Sequence, residues 1–127
     1  MNKQQWDNVS RYFKRSEFDS PDVKGSGDNM QYSFIEKLFA ARSVSNTPFR
    51  ITSGYRTKQH NKKVGGKNDS SHLKGVAADI QVNNSMERFN ILYALILAGF
   101  TRIGIGANFI HVDNDKDKTQ GVIWTYY

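Results

Sequence analysis

Residues 70–82 read SSHLKGVAADIQV. In the second half Val76, Ala78, Ile80 and Val82 alternate with Ala77, Asp79 and Gln81. Strand side chains point to opposite faces with a period of two, so this segment predicts a strand that buries the first set and turns Asp79 away from the core. NFIHVD at 108–113 carries the same pattern, with Ile110 and Val112 inward and Phe109, His111 and Asp113 together on the other face. His111 and Asp113 can therefore share a cleft. His72 and Asp79 lie seven positions apart, an odd offset that would split them between two faces of one straight strand; a bend at Gly75 removes the difficulty.

Outward from these segments the chain reads as short elements with clear punctuation. Upstream, Thr57 can cap a short helix through Lys63, because its hydroxyl can accept from free amides, and Gly65 and Gly66 end it. A tight loop then delivers His72. Phe49 to Thr52 predicts a short strand, entered in extended form because of Pro48. Phe34, Ile35, Leu38, Phe39 and Arg42 fit an amphipathic helix over 31–43. Trp6, Val9, Tyr12 and Phe13 recur at helical spacing before Pro21, Gly25 and Gly27 break the pattern. Downstream of Asp79, Asn84 with Glu87 resembles a capping box, and Phe89, Leu92, Tyr93, Leu95 and Ile96 fill a strongly apolar helix closed by Gly99. FTRIGI, NFIHVD and GVIWTYY read as strands separated by glycines and the charged turn NDKDK.

The length of 127 residues suits one domain over 1–127, and 38% hydrophobic residues with eight Phe, six Tyr and two Trp suit a folded core. Cysteine is absent, which excludes a disulfide framework, a thiolate nucleophile and thiolate metal ligation. Any metal must sit on nitrogen and oxygen. Eighteen Lys and Arg against twelve Asp and Glu leave +6, which favours an anionic partner such as nucleic acid, anionic lipid or an acidic wall polymer, or simply keeps the surface solvated. No apolar run is long enough for a transmembrane segment, and the polar start MNKQQWDNVS lacks the apolar stretch of a secretory signal, so synthesis in the cytoplasm is expected.

A hydrolytic zinc needs three protein donors and one open position, and two imidazoles with a carboxylate are a common set. His72, Asp79 and His111 supply those residue types. Each also has an ordinary explanation taken singly. His72 can be an exposed loop residue, Asp79 can cap or pair with a lysine, and His111 can be a half-buried strand histidine. Arg56 can be a surface arginine in a turn.

Taken together, SGYR, HN, VGG, SSHLKGVAAD and FIHVD resemble the zinc D-Ala-D-Ala carboxypeptidases and L-alanyl-D-glutamate endopeptidases of bacterial cell walls and phage lysis systems. The family's Ser-x-His-x-x-Gly-x-Ala-x-Asp core is matched at Ser70, His72, Gly75, Ala77 and Asp79, and the similarity extends from about Phe13 to Trp124, on the pattern of the small single-domain branch. The resemblance implies an α+β fold shared with the Hedgehog signalling domain, a small antiparallel sheet flanked by helices. It implies Zn2+ held by His72, Asp79 and His111, and a catalytic Arg56 that polarises the substrate carbonyl and stabilises the oxyanion. Ser53, Tyr55 and Ser71 are then candidates for substrate binding. Family members often carry a Glu or Asp three positions before the last histidine, or a histidine two before it; here those positions hold Asn108 and Phe109. Asp113 is expected to act as base or to orient His111, with Asp115, Asp117 and His60 as alternatives.

The function so implied is hydrolysis of a peptide bond in the peptidoglycan stem by a zinc metallopeptidase, of the carboxypeptidase or the endolysin-type endopeptidase kind, acting on the wall after release from the cytoplasm. A monomer with no nucleic-acid partner is expected, since no recognition helix or stacking motif is apparent. The alternative from another class is a metal-containing wall-binding module without catalysis, motivated by Asn108 and Phe109.

Overall fold

A computed structural model describes residues 1–127. Its elements are α1 (Lys3–Asn8), α2 (Tyr32–Val44), β1 (Ile51–Ser53), α3 (Lys58–Lys63), β2 (Ala77–Gln81), α4 (Ser85–Leu97), β3 (Arg102–Ile105), β4 (Phe109–Asp113) and β5 (Val122–Thr125), with 3-10 turns at Arg15–Phe18, Ser26–Asn29 and Ser71–Lys74. The fold is α+β. The starts of α1, α3 and α4 follow side chains that can serve free amides, whereas Gln31 before α2 gives no side-chain cap. Asn2 and Gln5 form a reciprocal capping box at α1, Thr57 Oγ1 accepts from the His60 amide at 3.1 Å, and Asn84 Oδ1 accepts from the Glu87 amide at 2.9 Å.

The five strands lie in the order β1-β2-β4-β3-β5. β2 leads through α4 to β3 as a crossover that leaves one gap in the sheet, and β4 turns back from β3 to fill it. β4 is therefore antiparallel to both neighbours, pairing Asp79 with His111, Ala77 with Asp113 and Gly104 with His111. The sheet is mixed rather than wholly antiparallel, because β5 pairs with β3 in parallel. The reason is the loop over 114–121: it leaves the end of β4 and passes across the start of β3, so β5 must run in β3's direction.

Alternation along the strands separates two faces. Ala78, Ile80, Ile103, Ile105, Ile110 and Val112 join Phe34, Ile35 and Leu38 of α2 and Ile91, Ala94 and Leu95 of α4 in one buried cluster, which Trp6, Val9, Phe13, Phe18 and Met30 extend. Each fully buried Ile or Phe contributes roughly 1.5–3 kcal/mol. Asp79, Arg102, Gly104, Phe109, His111 and Asp113 take the other face. The apolar content of α4 exceeds what the core absorbs: Phe89 and Tyr93 stack at 5.7 Å on the solvent side, where they are 64% and 54% exposed, and Ile96 is also exposed. The first helix is shorter than the spacing of Trp6, Val9, Tyr12 and Phe13 predicts, and Val9 and Phe13 reach the core from turns that follow Asn8. No helix is long and apolar enough to cross a membrane.

Gly75 ends the 3-10 turn with φ at +70° and gives β2 its entry. A Cβ there would lie 2.1 Å from the carbonyl oxygen of Asn29, whereas Gly65, with φ at +76°, faces open space. Gly75→Ala is expected to destabilise by about 2–4 kcal/mol, from left-handed strain plus a backbone clash, against about 1 kcal/mol for Gly65→Ala from strain alone. Urea unfolding of the two variants measures the difference; equal costs would refute the packing role of Gly75.

Candidate metal centre

His72 sits in the 3-10 turn that Ser70 caps, with the Ser70 hydroxyl accepting from the His72 amide at 3.3 Å. Its ring is 3% exposed as a residue, and Nδ1 lies 2.7 Å from the Gly54 carbonyl oxygen. A carbonyl only accepts, so Nδ1 carries a proton, and in the neutral ring Nε2 keeps a lone pair. That Nε2 points at Asp79 Oδ1 over 3.3 Å. Opposite Asp79 on β4, His111 turns Nδ1 to the same oxygen at 3.0 Å and Nε2 to Asp113 Oδ2 at 2.7 Å. The two rings stand edge to face, 5.2 Å between centroids.

The donor atoms of His72, Asp79 and His111 all lie within 4.8 Å of one another. Tetrahedral zinc with bonds of about 2.0–2.1 Å separates its ligands by about 3.3–3.4 Å, close to the 3.3 Å and 3.0 Å from the two imidazoles to Asp79 Oδ1. Both histidines also have the outer partner that a ligating imidazole requires: Gly54 fixes the tautomer of His72, and Asp113 accepts the hydrogen bond of His111 Nε2–H. The residues present thus fit a divalent metal on two imidazoles and one carboxylate.

Of the two roles open to Asp113, the geometry matches orientation of His111. Asp113 is 1% exposed, and both oxygens are engaged: Oδ2 by His111, Oδ1 by Arg102 Nε at 2.8 Å and by the Asp115 amide at 3.1 Å. Burial works to raise its pKa, but the hydrogen bond from His111 and the Asp115 amide and Arg102 hold it below the usual carboxylate range. Burial likewise opposes the charge on Asp79, yet the two histidines hold that carboxyl well below its ordinary value. For His111, burial disfavours the cation and is outweighed by Asp113 and Asp79, which raise its pKa.

Arg56 follows β1 and closes one side of the centre. Its Nε donates to Ser53 Oγ at 3.2 Å, Nη1 to Asn61 Oδ1 at 3.2 Å, and Nη2 stands 3.5 Å from Asp79 Oδ2. Ser53 therefore reaches the arginine from outside the pocket. Tyr55, expected at the substrate, packs against the hydrophobic core and is absent from the pocket wall. Ser71 does line the pocket, but its hydroxyl is spent on Asp115 Oδ2 at 2.7 Å. Asp115 in turn takes Lys74 at 3.0 Å, and Lys74 also reaches Asp117 at 3.1 Å, so this chain of contacts pins the His72 turn to the loop after β4. His60 lies outside the pocket wall, as do Asp115 and Asp117.

The His72, Asp79 and His111 cluster opens into a pocket of about 520 Å³ that Phe109, Trp124 and Tyr126 line together with residues 65–67 and Arg56. Trp124 and Tyr126 lie over Gly104, where a Cβ would come within 2.7 Å and 2.6 Å of their rings. Arg102, unforeseen from the sequence, joins the parts: it holds Asp113, donates to the Thr119 carbonyl at 2.7 Å and stacks 4.8 Å from the Trp124 ring. Its signal was parity, since Arg102 shares the strand face of Gly104.

The family model described as Peptidase M15 matches residues 11–113. No curated protein matches the chain.

Without metal, the stability supplied by this cluster has two edges. The lowered carboxyl of Asp79 contributes fully above its unfolded value of about 3.9 and fades as pH falls below it; the raised imidazole of His111 contributes below its unfolded value of about 6.5 and fades as pH climbs through the folded value. Metal needs the deprotonated imidazole and reverses the alkaline edge. Chelator-treated protein is expected to lose Tm from pH 6 to pH 9 relative to His111→Gln, and zinc-loaded protein to gain it. A chelated Tm difference that grows with pH would contradict this arrangement.

Proposed function

The chain belongs to the peptidase M15 family, and from that premise we propose that it is a zinc-dependent peptidase that cleaves a peptide bond in the stem of peptidoglycan. The observation that carries the reading is the convergence of His72, Asp79 and His111 beside Arg56 at the floor of an open pocket. Bound there, zinc would supply a Lewis acid and lower the pKa of water toward neutrality.

The remaining chemistry falls to the chain itself. Arg56, 17% exposed and held on two sides, presents a fixed guanidinium to the pocket, where it stabilises the negative charge that grows on the carbonyl oxygen as the carbon is attacked. Asp113 holds the His111 ring in one orientation. Phe109, Trp124 and Tyr126 give the substrate backbone an apolar wall and exclude water from one flank. Tyr126 keeps its proton, because burial and the charges of Asp79 and Asp113 raise its pKa.

Charge supports this substrate class. Arg56, Lys67, Arg102 and Lys118 line the pocket, against Asp79 and Asp113, whose charge is already answered by histidine and arginine. The free carboxylates of stem peptides suit that excess of cations. Of the lysines crowded around Arg56 in sequence, only Lys67 lines the pocket, while Lys74 is tied to Asp115 and Asp117. In this reading the protein is a monomeric enzyme of the endolysin kind, made in the cytoplasm and acting on the wall after release.

A second reading, a metal-containing wall-binding module, is favoured by one observation. Asp79 and Asp113 are the only carboxylates on the pocket wall, and neither has a free oxygen clear of the metal centre to take a proton.

Mass spectrometry of purified peptidoglycan after incubation separates the two. The peptidase releases D-Ala or cleaved stem fragments, and a chelator abolishes the release; zinc-loaded protein that binds the wall without releasing fragments is the module. Arg56→Ala is expected to lower kcat by about 10²–10³-fold with zinc content intact. Asp113→Asn is expected to weaken zinc affinity by about 10–100-fold. A fall in kcat at full zinc occupancy would instead make Asp113 the base.

A further inference from the structure

We propose that Asn61 is the positioning residue that holds Arg56 off the metal-binding carboxylate and aims it into the pocket, an inference that rests on the peptidase reading above. Asn61 belongs to α3, whose Lys58, Gln59, Lys62 and Lys63 are exposed, yet it is only 3% exposed itself. Burying a carboxamide on a solvated helix is costly unless both of its ends are paired. Both are: Oδ1 accepts from Arg56 Nη1 at 3.2 Å, and Nδ2 donates to the Lys67 carbonyl at 2.8 Å. The orientation is fixed by chemistry, because a guanidinium can only donate and a carbonyl can only accept. The Asn61 backbone carbonyl also receives the Gly66 amide at 2.8 Å, so one residue ties the arginine to the 65–67 wall of the pocket.

Gly66 is the other half of the device. A Cβ at this position would stand 2.0 Å from Asn61 Oδ1 and 3.1 Å from Arg56 Nη1. The absent side chain makes room for the carboxamide. Gly65 supplies the left-handed turn, and Gly66 supplies the close approach, which gives the two adjacent glycines different tasks.

What Asn61 does for Arg56 follows from the competition around the guanidinium. Ser53 takes Nε, Asn61 takes Nη1, and Asp79 lies 3.5 Å from Nη2, longer than a direct charge-assisted bond. Removing the Asn61 oxygen leaves Asp79 as the strongest acceptor within reach. The guanidinium then closes on Asp79, where its charge is spent on a metal ligand and not on the substrate oxygen.

The test is a cycle on the full zinc-loaded chain, with a synthetic stem peptide as substrate. Asn61→Ala is expected to lower kcat about tenfold with KM within about twofold and zinc content unchanged. Gly66→Ala should produce a loss of similar size by displacing the carboxamide, and the double variant should be no slower than Asn61→Ala, since the severe clash with the carboxamide is gone and Arg56, 3.1 Å away, has the freed space to move into. Asn61→Asp keeps the acceptor for Arg56 and should recover most of the kcat lost in Asn61→Ala, although losing the bond to Lys67 lowers Tm. Multiplying losses, or an effect confined to KM, would overturn the proposal.

A second readout does not depend on turnover. The Arg56 guanidinium signals in 15N NMR, identified by their loss in Arg56→Lys, should show hindered rotation in wild type and Asn61→Asp and averaged rotation in Asn61→Ala and Gly66→Ala. If wild type releases no fragment from any stem peptide, the peptidase reading falls while this measurement still decides the role of Asn61. Should Asn61→Ala fail to fold, Gly66→Ala and Asn61→Asp carry the comparison. Arg56 signals unchanged by these substitutions would refute the proposal.

Discussion

The antiparallel register of β2 against β4 sets Asp79 opposite His111, and one carboxylate oxygen then lies within reach of two imidazoles. Neighbouring groups answer to that oxygen. Gly54 and Asp113 fix the rings that face it, Arg56 flanks its partner oxygen, and Arg102 steadies Asp113 from β3. A one-residue slip of β4 would turn His111 and Asp113 into the core and bring Ile110 and Val112 out to the pocket. The hydrophobic face therefore enforces the geometry of the polar one. The side chains that bury against α2 and α4 define the register, and the register places the donors.

Such a cluster is expensive to bury. Asp113, with its 1% exposed side chain, would be strongly destabilising alone; removing one partner of a buried pair costs about 3–5 kcal/mol. The fold meets this by connecting the charges into a continuous set running from Arg102 through Asp113 to His111 and Asp79, with Arg56 at the far end. A parallel set, Ser71 with Asp115 and Lys74, joins the turn that carries His72 to the loop that follows β4. Stability and preorganisation come from the same contacts.

Much of this was legible in the sequence where the signal is local. Alternation in VAADIQV and NFIHVD put Asp79, His111 and Asp113 on one face, and Thr57 and Asn84 marked helix starts, because side-chain parity and amide capping depend only on near neighbours. What escaped depends on pairing between distant segments. The parallel placement of β5 follows from a loop crossing an end of the sheet, which no periodicity encodes. Arg102 acquires its role only once β3 lies beside β4, and Asn61 only once the arginine and the 65–67 loop close around it. Tyr55 packs toward the core although it adjoins Arg56, because adjacency in sequence says nothing about which side of the chain faces the core. The exposed side of α4 escaped for a related reason: an apolar helix announces its content, but the number of partners that cover it is a property of the whole fold.

The insertion of β4 into the gap left by the α4 crossover bears on how the molecule comes together. β3 and β4 form a local hairpin that can close quickly, whereas β2 and β4 meet only after the chain between them has been looped back, an entropic step that slows folding. Until β4 enters, a partly folded chain offers His72 and Asp79 alone, and a two-donor site binds metal weakly. A metal held by all three donors would therefore be captured late in folding, as a reporter of sheet closure rather than as its nucleus.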